Sequence, residues 1–271
     1  MPELPEVETT VNGITPLILQ QKVTNIIIRE HQLRWPIPNE LAKILKGKTV
    51  ISVARRAKYI LIQFKHGTLI LHLGMSGNLR FTDKKTQVAK HDHVDIIFNN
   101  THCLRYHDPR RFGAILWTNE NIEQHKLISH LGPEPLHAQF DVDYLYKRSR
   151  KRTISVKQFI MDSKVVVGVG NIYASESLYL AGIKPTRTAG GISKARYLRL
   201  CNAIKTVLNN AIAQGGTTLR DFRNSDGKPG YFKQKLNVYD REGLSCKNCT
   251  RPIKLITQNN RSSYYCNFCQ C

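Results

Sequence analysis

The chain has 271 residues, 41% of them hydrophobic, and carries 41 Lys or Arg against 20 Asp or Glu, a formal net charge of +21. That length and apolar content suit a folded protein of two domains with real cores, and the charge points to a polyanionic partner, nucleic acid or an acidic membrane surface. No stretch approaches the roughly 20 apolar residues of a membrane span, and an acidic start with Pro2 and Pro5 is the wrong chemistry for a signal peptide. No membrane association is expected, and the chain is placed in the cytoplasm beside nucleic acid.

In chain order, a first helix is predicted over about 6–19, after which period-two and apolar runs dominate as far as Trp117: 59–64 (YILIQF), 69–73 (LILHL), 94–98 and 114–117. These short runs predict a sheet-rich domain, a sandwich. The Gly-Pro-Glu-Pro stretch 132–135 punctuates the chain, and the pattern beyond it turns helical. Residues 194–213 carry Leu198, Cys201, Ile204, Val207, Leu208, Ala211 and Ile212 at helical intervals and stop at Gly215-Gly216. The segment from Leu236 is too small to own a core and needs a metal. The fold class is therefore α+β, divided as 1–132, 133–235 and 236–271.

Four of the seven cysteines supply that metal site. Cys246-x2-Cys249 and Cys266-x2-Cys269 are separated by residues 250–265, a spacing that fits a tetrahedral four-thiolate zinc ribbon, one structural Zn2+ with no open coordination position. Cys271 could compete as a ligand, but its spacing breaks the paired geometry. Cys103 and Cys201 lie in apolar runs and read as core residues.

The N-terminus is the most reactive feature. Removal of Met1 would leave the secondary amine of Pro2 beside Glu3 and Glu6. An α-amino group titrates near 7.7–8.0 against about 10.4 for Lys, so roughly a tenth is unprotonated at pH 7. Condensation of a secondary amine with an aldehyde-type carbon gives a permanently charged iminium, an electron sink. Farther on, Lys58 sits in the basic string Arg55-Arg56-Ala57-Lys58. Asp108-Pro109-Arg110-Arg111-Phe112-Gly113 reads as a tight turn offering a cation and an aromatic, and Met75 lies between glycines in an exposed loop. Lys90-His91-Asp92-His93 alternates His and Asp, with too few neighbours for a metal. The string 167–176 (VGVGNIYASE) is a glycine-rich turn opening a helix, where backbone amides favour phosphate. Residues 215–232, rich in Gly and Asp, read as a lid. Arg261 falls at the tip expected for a hairpin between the cysteine pairs, placed to grip phosphate.

The opening residues 1–8, the 108–113 turn, the 167–176 string and the cysteine pairs together resemble the formamidopyrimidine-DNA glycosylase family, bacterial enzymes that excise oxidised purines and nick the strand. The resemblance runs from Pro2 to Cys269. It implies an N-terminal β-sandwich catalytic domain with flanking helices, a helix-two-turn-helix DNA-binding domain and a zinc-ribbon β-hairpin. It implies Pro2 as nucleophile, Glu3 as acid/base, Glu6 as its assistant, and Lys58 as a DNA contact beside the amine. Met75, Arg110 and Phe112 would fill the gap left by an everted nucleotide, and His91, Asn171 and Arg261 would hold phosphates. Glu176, Arg220 and Tyr231 would line the lesion pocket, with Arg220 standing where relatives commonly carry Lys. The implied partner is double-stranded damaged DNA, bound by a monomer. Two other readings fit parts of the sequence. A non-catalytic zinc-ribbon binder explains the charge, the cysteines and the basic run 147–152, but not Pro2, Glu3 and Glu6. An oxidised-pyrimidine enzyme of the endonuclease VIII type shares the amine and the zinc site, and only the Met75, Arg110, Phe112 set and the lid speak against it.

Overall fold

The computed structural model describes residues 1–99, 101–216 and 236–271. Among these, Met1–Ser129 with 214–216 form one compact unit and His130–Ala213 with 236–271 a second.

The first unit opens with helix α1 (Leu4–Ile18), followed by β1 (Val23–Ile28), α2 (Leu41–Leu45) and strands β2 (Ser52–Arg56), β3 (Tyr59–Phe64), β4 (Gly67–His72), β5 (Asn78–Asp83), β6 (Asp92–Phe98), β7 (His102–His107) and β8 (Ala114–Thr118). The strands form two antiparallel four-stranded sheets, ordered β1-β6-β7-β5 and β2-β3-β4-β8. α1 buries Leu4, Val7, Val11, Ile14 and Ile18, one stripe at helical spacing. That stripe joins Ile60, Ile62, Leu69, Leu71, Val94, Ile96 and Leu104 in a common core. The expected sandwich with flanking helices is observed. α1 starts two residues earlier than its apolar period suggests, because Glu3 caps it and Pro5 occupies its first turn, where a missing N–H costs nothing.

Every residue of β6 is buried, although its alternate residues face away from the core. The reason is a charged ladder on the outer face. Arg105, 1% exposed, donates from Nε and Nη2 to Asp95 at 2.8 and 2.9 Å, and Arg29 reaches the same carboxylate at 2.6 Å. Asp92 takes Arg80, the Ala89 amide at 2.8 Å and the His107 ring at 2.8 Å. Arg105 also donates to the carbonyls of Thr86 and Gln87 at 3.0 and 3.3 Å, so the loop between β5 and β6 roofs the ladder. Burial works against both carboxylates, yet these donors outweigh it and hold each below its ordinary pKa.

The second unit contains α3 (Val142–Ser149), α4 (Val156–Met161), α5 (Asn171–Leu180), α6 (Lys194–Ala213) and a hairpin of β9 (Lys254–Gln258) and β10 (Arg261–Tyr265). Asp141 caps α3, and a Ser155/Gln158 capping box starts α4. α6 matches the predicted span. Cys103 and Cys201 are buried, as their apolar settings require.

Breaking the ladder should be costly, since removing one partner leaves a buried charge uncompensated. Asp95→Ala is expected to destabilise the first unit by about 3–5 kcal/mol, read by urea denaturation; a loss under about 1 kcal/mol would mean the ladder is a surface network.

Candidate functional site

In the first unit, Pro2 is buried, and Glu3 and Glu6 are each 2% exposed. Glu3 is the N-cap of α1, and its backbone N–H donates to Glu6 Oε2 at 2.8 Å in a reciprocal capping box. The two carboxylates are thus fixed at the positive end of the helix dipole, which favours negative charge. Gly216, with φ +82°, lies against Glu6: a Cβ there would come within 3.2 Å of its Cγ and Oε1.

Lys58 occupies the two-residue turn between β2 and β3, since Arg56 pairs with Tyr59. Ala57 in that turn has φ +55°, a conformation a non-glycine residue adopts only when its surroundings enforce it. The enforcing contact is Arg55, which donates to the Ala57 carbonyl at 3.0 Å and to Glu8 of α1. The turn carrying Lys58 is thereby tied to the helix that begins at Pro2.

Met75 and the 108–113 turn meet through Gly74. A Cβ on Gly74 would lie 2.5 Å from the Gly113 nitrogen and from the Phe112 carbonyl carbon, so only glycine permits this approach. Asp108, fully buried, accepts the Gly113 N–H at 2.8 Å and the Ser76 hydroxyl at 3.3 Å. Its own N–H donates to the His91 carbonyl at 3.0 Å, and its carbonyl meets His93 Nε2 at 2.8 Å. One residue therefore joins the loops of Met75, His91 and Arg110–Phe112. Met75 is 37% and Phe112 46% exposed, and the Arg110 guanidinium stacks 5.0 Å from the Phe112 ring. Exposed apolar side chains of this kind are what minor-groove proteins insert between base steps.

His72 supports the same loop: its Nδ1 accepts the Gly74 N–H at 3.0 Å, so the ring must be neutral on that nitrogen. Burial, with the nearby Lys58 and Arg34 charges, pushes its pKa down to about 4.

In the second unit, Asn171 begins α5, and its Oδ1 is buried with no hydrogen-bond partner among the described residues. Arg261 is exposed at the hairpin tip, where Asn259 and Asn260 both have positive φ, the conformation of a tight two-residue hairpin loop. Lys157, 2% exposed, donates to the Ser262 carbonyl at 2.7 Å and the Ser263 hydroxyl at 2.8 Å and so fixes that tip. Glu176 is fully engaged: it accepts from Asn237 N, Asn237 Nδ2, Val238 N and Tyr239 N at 2.8–3.0 Å. It anchors residues 237–239. Arg220 and Tyr231 lie outside the described residues.

The sulfurs of Cys246, Cys249, Cys266 and Cys269 all lie within 4.8 Å of one another, with 3.4 Å between Cys249 and Cys266 and 4.0 Å between Cys246 and Cys269. Tetrahedral thiolates at about 2.3 Å from a metal would be roughly 3.8 Å apart, so the donor set fits a four-thiolate centre. The Tyr179 hydroxyl and the Asn248 side chain approach two of the sulfurs at 3.3 and 3.4 Å, the partners expected around metal-bound thiolates. Among the described residues no other group of three or more ligands converges.

Residues 1–115 match the formamidopyrimidine-DNA glycosylase N-terminal domain, and residues 131–223 match the formamidopyrimidine-DNA glycosylase H2TH domain. The chain belongs to the formamidopyrimidine-DNA glycosylase family. Relatives of that name from Thioalkalivibrio sulfidiphilus and Cellvibrio japonicus are each 56% identical over 270 residues, covering all of both chains. The Thermus thermophilus MutM (Fpg) crystal structure aligns with a TM-score of 0.89 at 33% identity, covering 99% of this chain and 98% of that one. A Lactococcus lactis Fpg mutant in complex with Fapy-dG-containing DNA aligns with a TM-score of 0.93 at 31% identity over 99% of both.

Several residues of this glycosylase family chain that hold the site together carry no motif of their own: Asp108 at the turn, Arg55 beneath Lys58, Lys157 beneath Arg261. Asp108 was visible only as the first residue of a tight turn; Arg55 and Lys157 gave no signal beyond their charge.

His72 yields a pH prediction. Its folded pKa lies below the unfolded value, so its contribution is fully present above about 6.5 and is lost as pH falls toward about 4, by up to about 3 kcal/mol. Between pH 7 and pH 4.5, His72→Gln should lose less stability in urea melts than the wild type; equal losses would remove His72 from the acid response.

Proposed function

We propose that this chain is a bifunctional DNA glycosylase and AP lyase that removes oxidised purines, such as 8-oxoguanine and formamidopyrimidines, from duplex DNA. The observation that carries this reading is the buried N-terminal proline set against two carboxylates locked by one capping box. The solved neighbours support the substrate: they include a Lactococcus lactis Fpg bound to abasic-site DNA and a MutM bound to DNA containing carbocyclic 8-oxo-G.

With Met1 removed, the Pro2 nitrogen bonds to the deoxyribose C1′, and the base leaves with the electron pair of the glycosidic bond and a proton. Glu3 delivers a proton to O4′ as the C1′–O4′ bond opens, leaving a cationic iminium between Pro2 and C1′. Loss of the C2′ proton then expels the 3′ phosphate, and a further elimination expels the 5′ phosphate. Glu6 acts through its hold on the Glu3 backbone N–H. Lys58 contributes a charge beside the amine that holds the DNA and supports base removal.

Everting a nucleotide costs a few kcal/mol of stacking. Met75 and Phe112 occupy the gap, and Arg110 bonds to the orphaned base. His91, Asn171 and Arg261 grip phosphates around the lesion, while the segment containing Arg220 and Tyr231 closes over the purine. Glu176, which holds residues 237–239 through four donors, lines the lesion pocket. The metal is one structural zinc, which stabilises the hairpin that presents Arg261. The domains are 1–132, 133–235 with the lesion-capping loop, and 236–271; the protein works as a monomer on cytoplasmic DNA.

Glu3→Gln should abolish base excision from an 8-oxoguanine duplex while DNA affinity stays within about threefold, a change under 1 kcal/mol; retained excision would take the proton-transfer role from Glu3. Arg261→Ala should weaken DNA binding about tenfold, one lost charge-assisted phosphate contact, with metal content unchanged by elemental analysis. Loss of metal in that variant would make Arg261 a folding residue.

A further inference from the structure

On the outer face of the β1-β6-β7-β5 sheet, Asn78, His107 and Asp92 stand in register across β5, β7 and β6. His107 Nδ1 pairs with Asp92 Oδ1 at 2.8 Å, and Asp92 is itself buried and held by Arg80 and the Ala89 amide. This fixes the imidazole plane and leaves Nε2 as its one remaining polar atom, with no partner among the described residues. The His107 side chain is 22% exposed, so the ring is not sealed from solvent. The His91 ring stands 6.0 Å away at 75°, edge against face, and its nitrogens are likewise without hydrogen bonds among the described residues. A strand bulge between Asp92 and Val94 brings the two rings together, and the roofing loop that leads into His91 is tied down by Arg105 and Asp92. Asn78 Oδ1, on the other side of His107, is buried and without a hydrogen-bond partner among the described residues. The pair is therefore built rigidly, yet His107 Nε2, an acceptor while the ring is neutral and a donor once it is protonated, remains unengaged among the described residues.

We infer that His107 is a second phosphate-binding imidazole, which, positioned by Asp92, joins His91 in holding a DNA phosphodiester and takes up a proton as it does so. The inference rests on the reading of His91 as a phosphate contact and deepens it. The groups facing His107 are Asp92 and His91 at β6 and its lead-in, Arg80 from β5, and Arg105 two residues back on its own strand. His93 faces the other way, onto the Asp108 carbonyl. Burial lowers the His107 pKa; Asp92 opposes this, and Arg80 and His91 add to it. The free ring is thus neutral near pH 7. An anion at Nε2 supplies the charge that raises its pKa, so affinity tightens as pH falls.

The test uses the full-length protein and a fluorescent duplex carrying a tetrahydrofuran abasic analogue, which has no base to release, with Kd measured by anisotropy from pH 8 to pH 6 at constant salt. His107→Gln should bind within about twofold of the wild type at pH 8 and lose about three- to sixfold relative to it at pH 6, the part of a one-unit pKa rise that is expressed at that pH. His91→Gln should weaken binding throughout the range. If His91→Gln weakens binding while His107→Gln keeps the wild-type pH profile, the inference fails and the role of His91 stands. If neither variant changes binding, both fall. Should His107→Gln not fold, histidine Cε1 resonances of the wild type decide: the His107 pKa must rise by about one unit on adding the duplex, and an unchanged value overturns the inference.

Discussion

The first unit depends on the buried carboxylate of Asp108. It accepts the Gly113 N–H and the Ser76 hydroxyl, while its backbone bonds to His91 and His93. A carboxylate taken fully out of water is tolerable only when donors replace the lost hydration. Here those donors are the loops that must be held. Three segments distant in sequence, around Met75, His91 and Arg110–Phe112, become one rigid surface because none of them can move without leaving that charge unpaired. Gly74 and Gly113 follow from the same constraint. A Cβ on Gly113 would fall 1.6 Å from the Tyr106 hydroxyl and 2.5 Å from the His72 carbonyl, so the turn can close only on glycine.

Buried charge does the same work elsewhere. Arg105 and the two aspartates hold the β5–β6 loop, Glu176 gathers four donors from residues 237–239, and Lys157 clasps the hairpin below Arg261. Such interactions are weak sources of net stability, because desolvation consumes most of the attraction. Their value lies in geometry: a loop held by charge-assisted bonds arrives preorganised, so DNA binding does not also have to meet the cost of ordering it.

Much of this was legible in the sequence because its signals are local. The apolar spacing of 194–213 fixed α6 to the residue, the Cys246–Cys269 pairs gave the thiolate cluster, and the midpoint between them located the hairpin tip. The alternating strands announced a sandwich. What stayed hidden is long-range. Lys157 meets its partner 106 residues away, and Glu176 meets its own 61 to 63 residues away; no periodicity encodes such pairings. β6 was recognised only from Val94 on, since Asp92 and Asp95 look like solvent-facing residues until Arg105 is seen above them. The turn at Ala57-Lys58 was missed because a non-glycine residue there defies turn preference and is enforced by Arg55.

The central claim is that the chain's chemistry passes through the nitrogen of Pro2. It is tested most directly by mixing the purified protein with a duplex carrying one 8-oxoguanine opposite cytosine, adding borohydride, and mapping any covalent adduct by mass spectrometry after confirming that Met1 is absent. The account predicts a reduced protein–DNA conjugate at Pro2. An adduct at a lysine, or release of the base with no adduct at Pro2, would contradict it.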